Sequence, residues 1–147
     1  MSPHDPAQLT VRAIVLSLFL AVLLAAANAY LGLFAGLTVA TAIPAAVVSM
    51  GVLRLLGRSS ILENNIVATG ASAASSIAAG TIFTIPALVI MGHWARFEYG
   101  WVMAIAGLGG LLGVLFSVPL RRTLIIDQKL QFPEGIATAE VLKVGEN

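Results

Sequence analysis

The chain has 147 residues, of which 59% are hydrophobic and 10% are charged. Soluble domains carry about 25% charged residues, so this chain has too little polar surface to stay in water and must be solvated largely by lipid. Its net charge is +1 without a basic stripe, which argues against nucleic-acid binding. It has no cysteine and two histidines, so we expect no disulfide, no thiolate or histidine-built metal site and no cofactor.

Charged residues fall in clusters, and the uncharged runs between the clusters predict membrane-spanning helices, because backbone in lipid must satisfy its own hydrogen bonds. The first run, 13–53, is long enough for two spans joined by a tight turn near Gly32 and Gly36. We therefore expect an all-α polytopic membrane protein. The predicted spans are 13–31, 36–56, 66–92 and 100–120, between an N-terminal segment at 1–12 and a polar tail at 121–147 with a helix start at 133.

The arginines are distributed unequally between the two sides of this four-span arrangement. Arg96 falls on one side, and the other side carries Arg12, Arg54, Arg58, Arg121 and Arg122. By the positive-inside rule, both ends should be cytoplasmic, and we expect the cell membrane as the location. An alternative for the first span is a signal peptide that ends at Ala27-Asn28-Ala29, in which case three spans would remain.

Two sets of residues stand out on the third span when it is drawn as a helix at about 100° per residue. One interpretation is that a polar stripe lines a translocation path while a ridge of small residues packs on a neighbouring helix. The other is ordinary helix packing on both faces, with hydroxyls bonded to the preceding turn. The stripe is Asn65, Thr69, Ser72 and Ser76, and the ridge is Gly70, Ala74 and Ala78.

Carboxylates and amides at the ends of the predicted spans are further candidates for the path. Glu63, Asn64 and Asn65 precede the third span, where ionisable groups at membrane depth are costly and mark functional sites. The alternative for Glu63 is an ordinary helix cap and dipole partner. In the tail, Pro133 suits the first position of a helix and Glu134 its first turn.

Prolines and paired glycines predict kinks and close packing. Pro44 and Pro86 lie within predicted spans, where each removes a backbone hydrogen bond and should bend its helix. Glycines four residues apart favour close approach of helices, and such pairs are Gly32 with Gly36 and Gly109 with Gly113.

A serine-nucleophile pattern is present at Gly70-Ala71-Ser72-Ala73, but its chemistry needs a histidine base within hydrogen-bond reach. His93 lies on the order of 30 Å from Ser72 along the same predicted helix. His4 precedes the first span. We therefore do not expect an enzyme.

Seven segments, in order along nearly the whole chain, are similar to signatures of the oligopeptide transporter (OPT) family. They are Asn28-Ala29-Tyr30-Leu31-Gly32-Leu33, Ile43-Pro44-Ala45-Ala46, Glu63-Asn64-Asn65-Ile66-Val67, Ala78 to Leu88, Gly110 to Phe116, Pro119-Leu120-Arg121-Arg122, and Phe132-Pro133-Glu134-Gly135 with Ala139-Glu140-Val141-Leu142-Lys143. The resemblance implies a secondary transporter, typically proton-coupled, for small peptides or metal chelates such as iron-siderophore complexes. It also implies a chain several times longer, so this sequence would be a fragment whose partners include the remaining helices.

The sequence departs from the family where Ala74-Ser75-Ser76 replaces a frequent Gly-Glu-Ser, and where Ala68 replaces a frequent Gln. The resemblance therefore leaves Glu63, Glu134 and Glu140 as the carboxylates available for coupling in this portion. The alternative function is a small four-helix membrane scaffold that assembles with a partner and transports nothing itself.

Overall fold

The computed structural model describes residues 9–57 and 60–146, and within these ranges the chain is helical and contains no strand. Most of the predicted segment 1–12 lies outside the described residues, as does Arg58. The prediction of an all-α chain is confirmed. The helices are α1 (Val11–Ala35), α2 (Ala42–Leu55), α3 (Ile61–Ile90), α4 (Tyr99–Arg121), which continues as a π-helix over Arg122–Asp127, and α5 (Pro133–Glu146).

Three helices in the described ranges are long and apolar enough to cross a membrane: α1, α3, and α4 with its π-helical extension. The fourth apolar helix, α2, is shorter, and it begins at Ala42 although the sequence predicted a span from 36. The reason is the end of α1. Gly36 adopts a left-handed φ of 70° and caps that helix, and residues 37–41 are not helical.

Helices α1 and α3 lie side by side and run in the same direction. Arg12 pairs with Glu63 at their starts, and a Cβ on Gly32 would lie 3.1 Å from Ile82 towards their ends. Since both helices run the same way, the chain between them must return over about 30 Å. The 14 residues of α2 cover about 21 Å of that path, and residues 37–41 can cover the rest. This geometry supports a second crossing built from a non-helical segment and a short helix.

Small residues let the helices approach closely in the core, where α1, α2, α3 and α5 meet. By contrast, α4 has no buried residue and touches α3 where a Cβ on Gly110 would lie 3.0 Å from Ile77. The buried cluster consists of Ala13, Leu16, Leu20, Ala45, Ala46, Leu53, Val67, Ala68, Ala71 and Leu142.

Two of the residues singled out for kinks or packing have other positions than expected. Pro44 lies in the first turn of α2, where its missing N–H costs nothing, so it causes no mid-helix kink there. Gly36 serves as a helix cap, with no atom within 4 Å of a Cβ placed on it. Pro86 does lie inside α3, and Gly32 does pack closely.

Gly109 and Gly113 on α4 also differ from the expectation of close helix packing. A Cβ built on either residue would have no atom within 4 Å in the described part of the chain. The glycine of α4 that contacts α3 is the neighbouring Gly110, whereas Gly109 and Gly113 line an open space of about 560 Å³ between the two helices.

Candidate solute-binding site

The polar stripe of α3 faces an open groove of about 930 Å³, whose opposite wall is α5. Asn65, Thr69 and Ser76 are exposed to this groove, and Ser72 is half-buried. Glu134, in the first turn of α5, lines the same groove. Five of the eight residues that the sequence marked as path candidates are therefore brought together.

The small-residue ridge lies on a different face of α3, against α1. A Cβ on Gly70 would overlap Ser17 Oγ, so only glycine fits at that point without movement of α1. Ala74 and Ala78 continue the ridge at successive turns and are half-buried. The two faces that periodicity separated thus have different surroundings, one a groove and the other a helix.

Glu63 lies away from the groove, at the junction of α1 and α3, and is 2% exposed. It accepts hydrogen bonds from Arg12 Nε at 2.9 Å and Nη2 at 2.7 Å, and from the Thr10 hydroxyl. It also completes a capping box, accepting from the Ser60 N–H while its own N–H donates to Ser60 Oγ. Its surroundings match the helix-cap alternative, because the bonds with Ser60 cap α3 and the bonds from Thr10 and Arg12 join that cap to the start of α1.

Asn64 and Glu140 also lie outside the groove. Asn64 is buried between α2 and α3, where it accepts a hydrogen bond of 3.0 Å from Ser49 Oγ. Glu140 is exposed on α5 and forms an ion pair of 2.7 Å with Lys143. Neither lines a cavity together with the stripe.

A smaller polar pocket of about 190 Å³ shares Ser72, Ser76 and Glu134 with the groove. The sequence patterns identified two of its other polar members, Asn28 and Ser75, only within family motifs, and they did not indicate Thr38 or Thr41. An asparagine within the uncharged run 13–53 was an available signal. The lining is Asn28, Thr38, Val39, Ala40, Thr41, Ser72, Ser75, Ser76, Ala79 and Glu134.

Asn28 shapes this pocket by holding the non-helical segment between α1 and α2. Its side chain donates to the Val39 carbonyl at 2.9 Å and accepts from the Val39 N–H at 3.0 Å. The amide is 3% exposed, so both bonds replace contacts with water. In this way α1 satisfies the backbone of a segment that has no helical hydrogen bonds of its own.

Two hydroxyls of the pocket have no hydrogen-bond partner among the described residues: Thr41 Oγ1 and Ser75 Oγ. The two residues are 6% and 4% exposed. A buried hydroxyl without a partner costs about 1–3 kcal/mol, so a group that binds both would recover that free energy.

Comparison with known proteins agrees with the order of motifs along the chain. The sequence profile of the OPT oligopeptide transporter protein family matches residues 8–147. This chain belongs to the OPT family. The match confirms the resemblance seen in the sequence motifs, and the members of this family are membrane transporters rather than enzymes.

Individual OPT relatives carry two kinds of name. A Haemophilus influenzae protein named "Putative oligopeptide transporter" is 50% identical over 118 residues, which are 80% of this chain and 18% of that protein. The Arabidopsis thaliana metal-nicotianamine transporter YSL3 is 32% identical over an alignment of 163 positions, which covers 92% of this chain and 24% of that one. The Zea mays iron-phytosiderophore transporter yellow stripe 1 is 34% identical over 53 residues, which are 36% of this chain and 8% of that protein.

The chain spans about a fifth of the length of the first two of these OPT relatives. No solved structure matches it.

Proposed function

We propose that this chain forms one wall of the solute path in a proton-coupled OPT transporter that carries oligopeptides or metal chelates. The observation that carries the proposal is the groove between α3 and α5, where four polar side chains of one helix face a carboxylate on another. Secondary transporters commonly bind solutes where helices are interrupted near the middle of the membrane. The relatives' names supply the two solute classes.

Glu134 is the carboxylate best placed to couple protons to transport. It lines the groove, whereas Glu63 is held in an ion pair with Arg12, and Glu140 pairs with Lys143 and does not line the groove. A carboxylate that meets both solute and water can exchange a proton during each transport cycle. The proposal also places the protein in the cell membrane with its N-terminus in the cytoplasm, as the arginine distribution favours.

The test is uptake by proteoliposomes that contain the complete gene product of which this chain is part. Trialanine and iron-nicotianamine are supplied outside, with and without an inward proton gradient. We expect the gradient to accelerate uptake of one of them, and Glu134→Gln to abolish that acceleration. Glu140→Gln is the matched control on the same helix and should transport like the wild type.

Uptake of neither solute above empty liposomes would reject the transport proposal and favour the scaffold alternative. Gradient-driven uptake that survives Glu134→Gln would leave transport standing and remove Glu134 as the coupling residue.

A further inference from the structure

The polar pocket lies at the middle of the longest helix. α3 extends from Ile61 to Ile90, and Ser75 is halfway along it. The short helices α2 and α5 both begin beside this pocket, since Thr41 and Glu134 line it. Their other ends also meet, because Arg54 donates to the Gly145 carbonyl. The two helices therefore run in parallel, and each presents its N-terminus near the midpoint of α3.

The N-terminus of α2 has free backbone donors. Thr41 is the N-cap residue, yet its side chain makes no capping bond, and Pro44 at the third helical position has no N–H to offer it. The first intrahelical bond runs from Ala45 N to Thr41 O, so the N–H groups of Ala42 and Ile43 precede it. Free N–H groups and the helix dipole make such an end favourable for anions.

The start of α5 adds a second set of donors on the groove side. Its first intrahelical bond runs from Ile136 N to Phe132 O, and Pro133 lacks an N–H. The N–H groups of Glu134 and Gly135 therefore precede the helical pattern, and both residues line the groove. Two helix N-termini thus lie near the pocket.

Independent evidence for a ligand comes from two hydroxyls that have no hydrogen-bond partner in the described part of the chain, Thr41 Oγ1 and Ser75 Oγ. Both residues line the pocket and are at least nine-tenths buried. Both can donate a hydrogen bond. Together with the backbone N–H groups of α2, they form a set of donors whose natural acceptor is an anionic oxygen group.

We propose that this pocket binds a carboxylate group of the transported solute, held by the hydroxyls of Thr41 and Ser75 at the N-terminus of α2. The inference rests on the proposed transport function and names the chemistry that the solute must carry. A volume of about 190 Å³ accommodates a carboxylate and a few neighbouring atoms, while the remainder of the solute lies in the adjoining groove. Ser72 and Ser76 line both spaces and connect them.

The position of Glu134 gives this site a built-in link to protons. A bound carboxylate would share the pocket with the Glu134 side chain, and two carboxylates so close repel each other unless a proton binds with the solute. The charged groups nearby are few: on α5, Lys143 lines the far part of the groove, and the α3 residues of the pocket carry no charge. We therefore expect the protein to bind about one proton together with each solute molecule. Glu134→Gln should abolish this proton binding.

The test is a calorimetric titration of the purified complete gene product with three probes. Trialanine and nicotianamine carry carboxylates, and trialanine amide is matched to trialanine but lacks one. We expect trialanine, nicotianamine or both to bind. If trialanine binds, its amide should bind at least tenfold more weakly. Thr41→Val with Ser75→Ala should weaken that binding at least tenfold.

Thr81→Val is the control, because the Thr81 hydroxyl already bonds to the Ile77 carbonyl on the same helix, outside the pocket. Ser75→Ala alone serves if the double variant does not fold. Binding that is unchanged in the pocket variants, equal affinity for trialanine and its amide, or no binding of either carboxylate probe would overturn the inference. Carboxylate binding that depends on Thr41 and Ser75, together with no uptake of solute by the proteoliposomes, would instead reject the transport proposal and keep the carboxylate site.

Discussion

Glu63 is the one buried carboxylate among the side chains that the structure describes, and its neighbours explain why it can stay there. Arg12 supplies two hydrogen bonds, Thr10 one and the Ser60 backbone another. A buried ion is tolerated only when its charge is paired and its remaining lone pairs are occupied. The residue thus joins the starts of two helices that are distant in sequence.

Replacing Arg12 with Gln should therefore destabilise the protein by up to about 3 kcal/mol, since it leaves Glu63 buried without its counter-charge. Lys143→Gln is the control, because the Glu140–Lys143 pair is exposed and should contribute less than about 1 kcal/mol. Thermal unfolding in detergent measures both. Equal melting temperatures for the two variants would contradict this account of Glu63.

Gly70→Ala should destabilise the contact of α1 with α3, because the added methyl group overlaps Ser17 Oγ. Overpacking of this kind costs about 1–3 kcal/mol. Adding Ser17→Ala should restore most of the loss, since the remaining Ser17 Cβ would lie 3.4 Å away.

Gly80→Ala on the same helix is the matched control, because nothing lies within 4 Å of its Cβ. That change should be neutral or stabilising by up to about 1 kcal/mol, as alanine is the better helix former. A lower melting temperature for Gly80→Ala than for Gly70→Ala would refute the assigned contact.

At the scale of elements, α3 is the helix whose faces differ most in surroundings. Single cysteines on the stripe should react with a membrane-impermeant thiol reagent, and cysteines on the ridge should be protected by α1. The stripe positions are Asn65, Thr69, Ser72 and Ser76, and the ridge positions are Gly70, Ala74 and Ala78. The chain has no cysteine, so only those elsewhere in the complete protein need removal. Equal labelling of the two faces would show that the stripe is ordinary packing.

The parallel arrangement of α2 and α5 can be tested by cross-linking. Met50 and Gly145 are in direct contact, so cysteines at both positions should form a disulfide under mild oxidation. Met50→Cys with Gly135→Cys is the control, because Gly135 lies about 15 Å further along α5. Cross-linking of the control pair alone would mean that α5 runs in the other direction.

Whether a structural element can be predicted from the sequence depends on how far apart in the chain its contacting residues lie. The long helices follow from continuous apolar runs, and the two faces of α3 follow from its period. The start of α2 does not, because the residues just before Ala42 carry no charge either, and their non-helical backbone is held by Asn28 from a different helix. The pocket was missed because Asn28, Thr41, Ser75 and Glu134 come from four separate segments.

For the whole molecule, the shared direction of α1 and α3 implies that the segment between them crosses back, so that both helices start on the same side of the membrane. Reporter fusions after Arg58 and after Arg122 should both give cytoplasmic signals, as the arginine excess there favours. A fusion after Arg96, in the loop between α3 and α4, should give the opposite signal. An external signal at either of the first two sites would reject this topology.

The contact of α1 with α3 also has a consequence for biosynthesis. The ribosome completes α1 before any of α3 has been made, and Arg12 and Glu63 are separated by 51 positions in the chain. During that interval α1 has neither its counter-charge nor the helix that covers Ser17. Asn28, by contrast, finds its partner Val39 only 11 residues later. We therefore expect α1 to stay bound to the insertion machinery and to enter the bilayer fully only after α3 has been inserted.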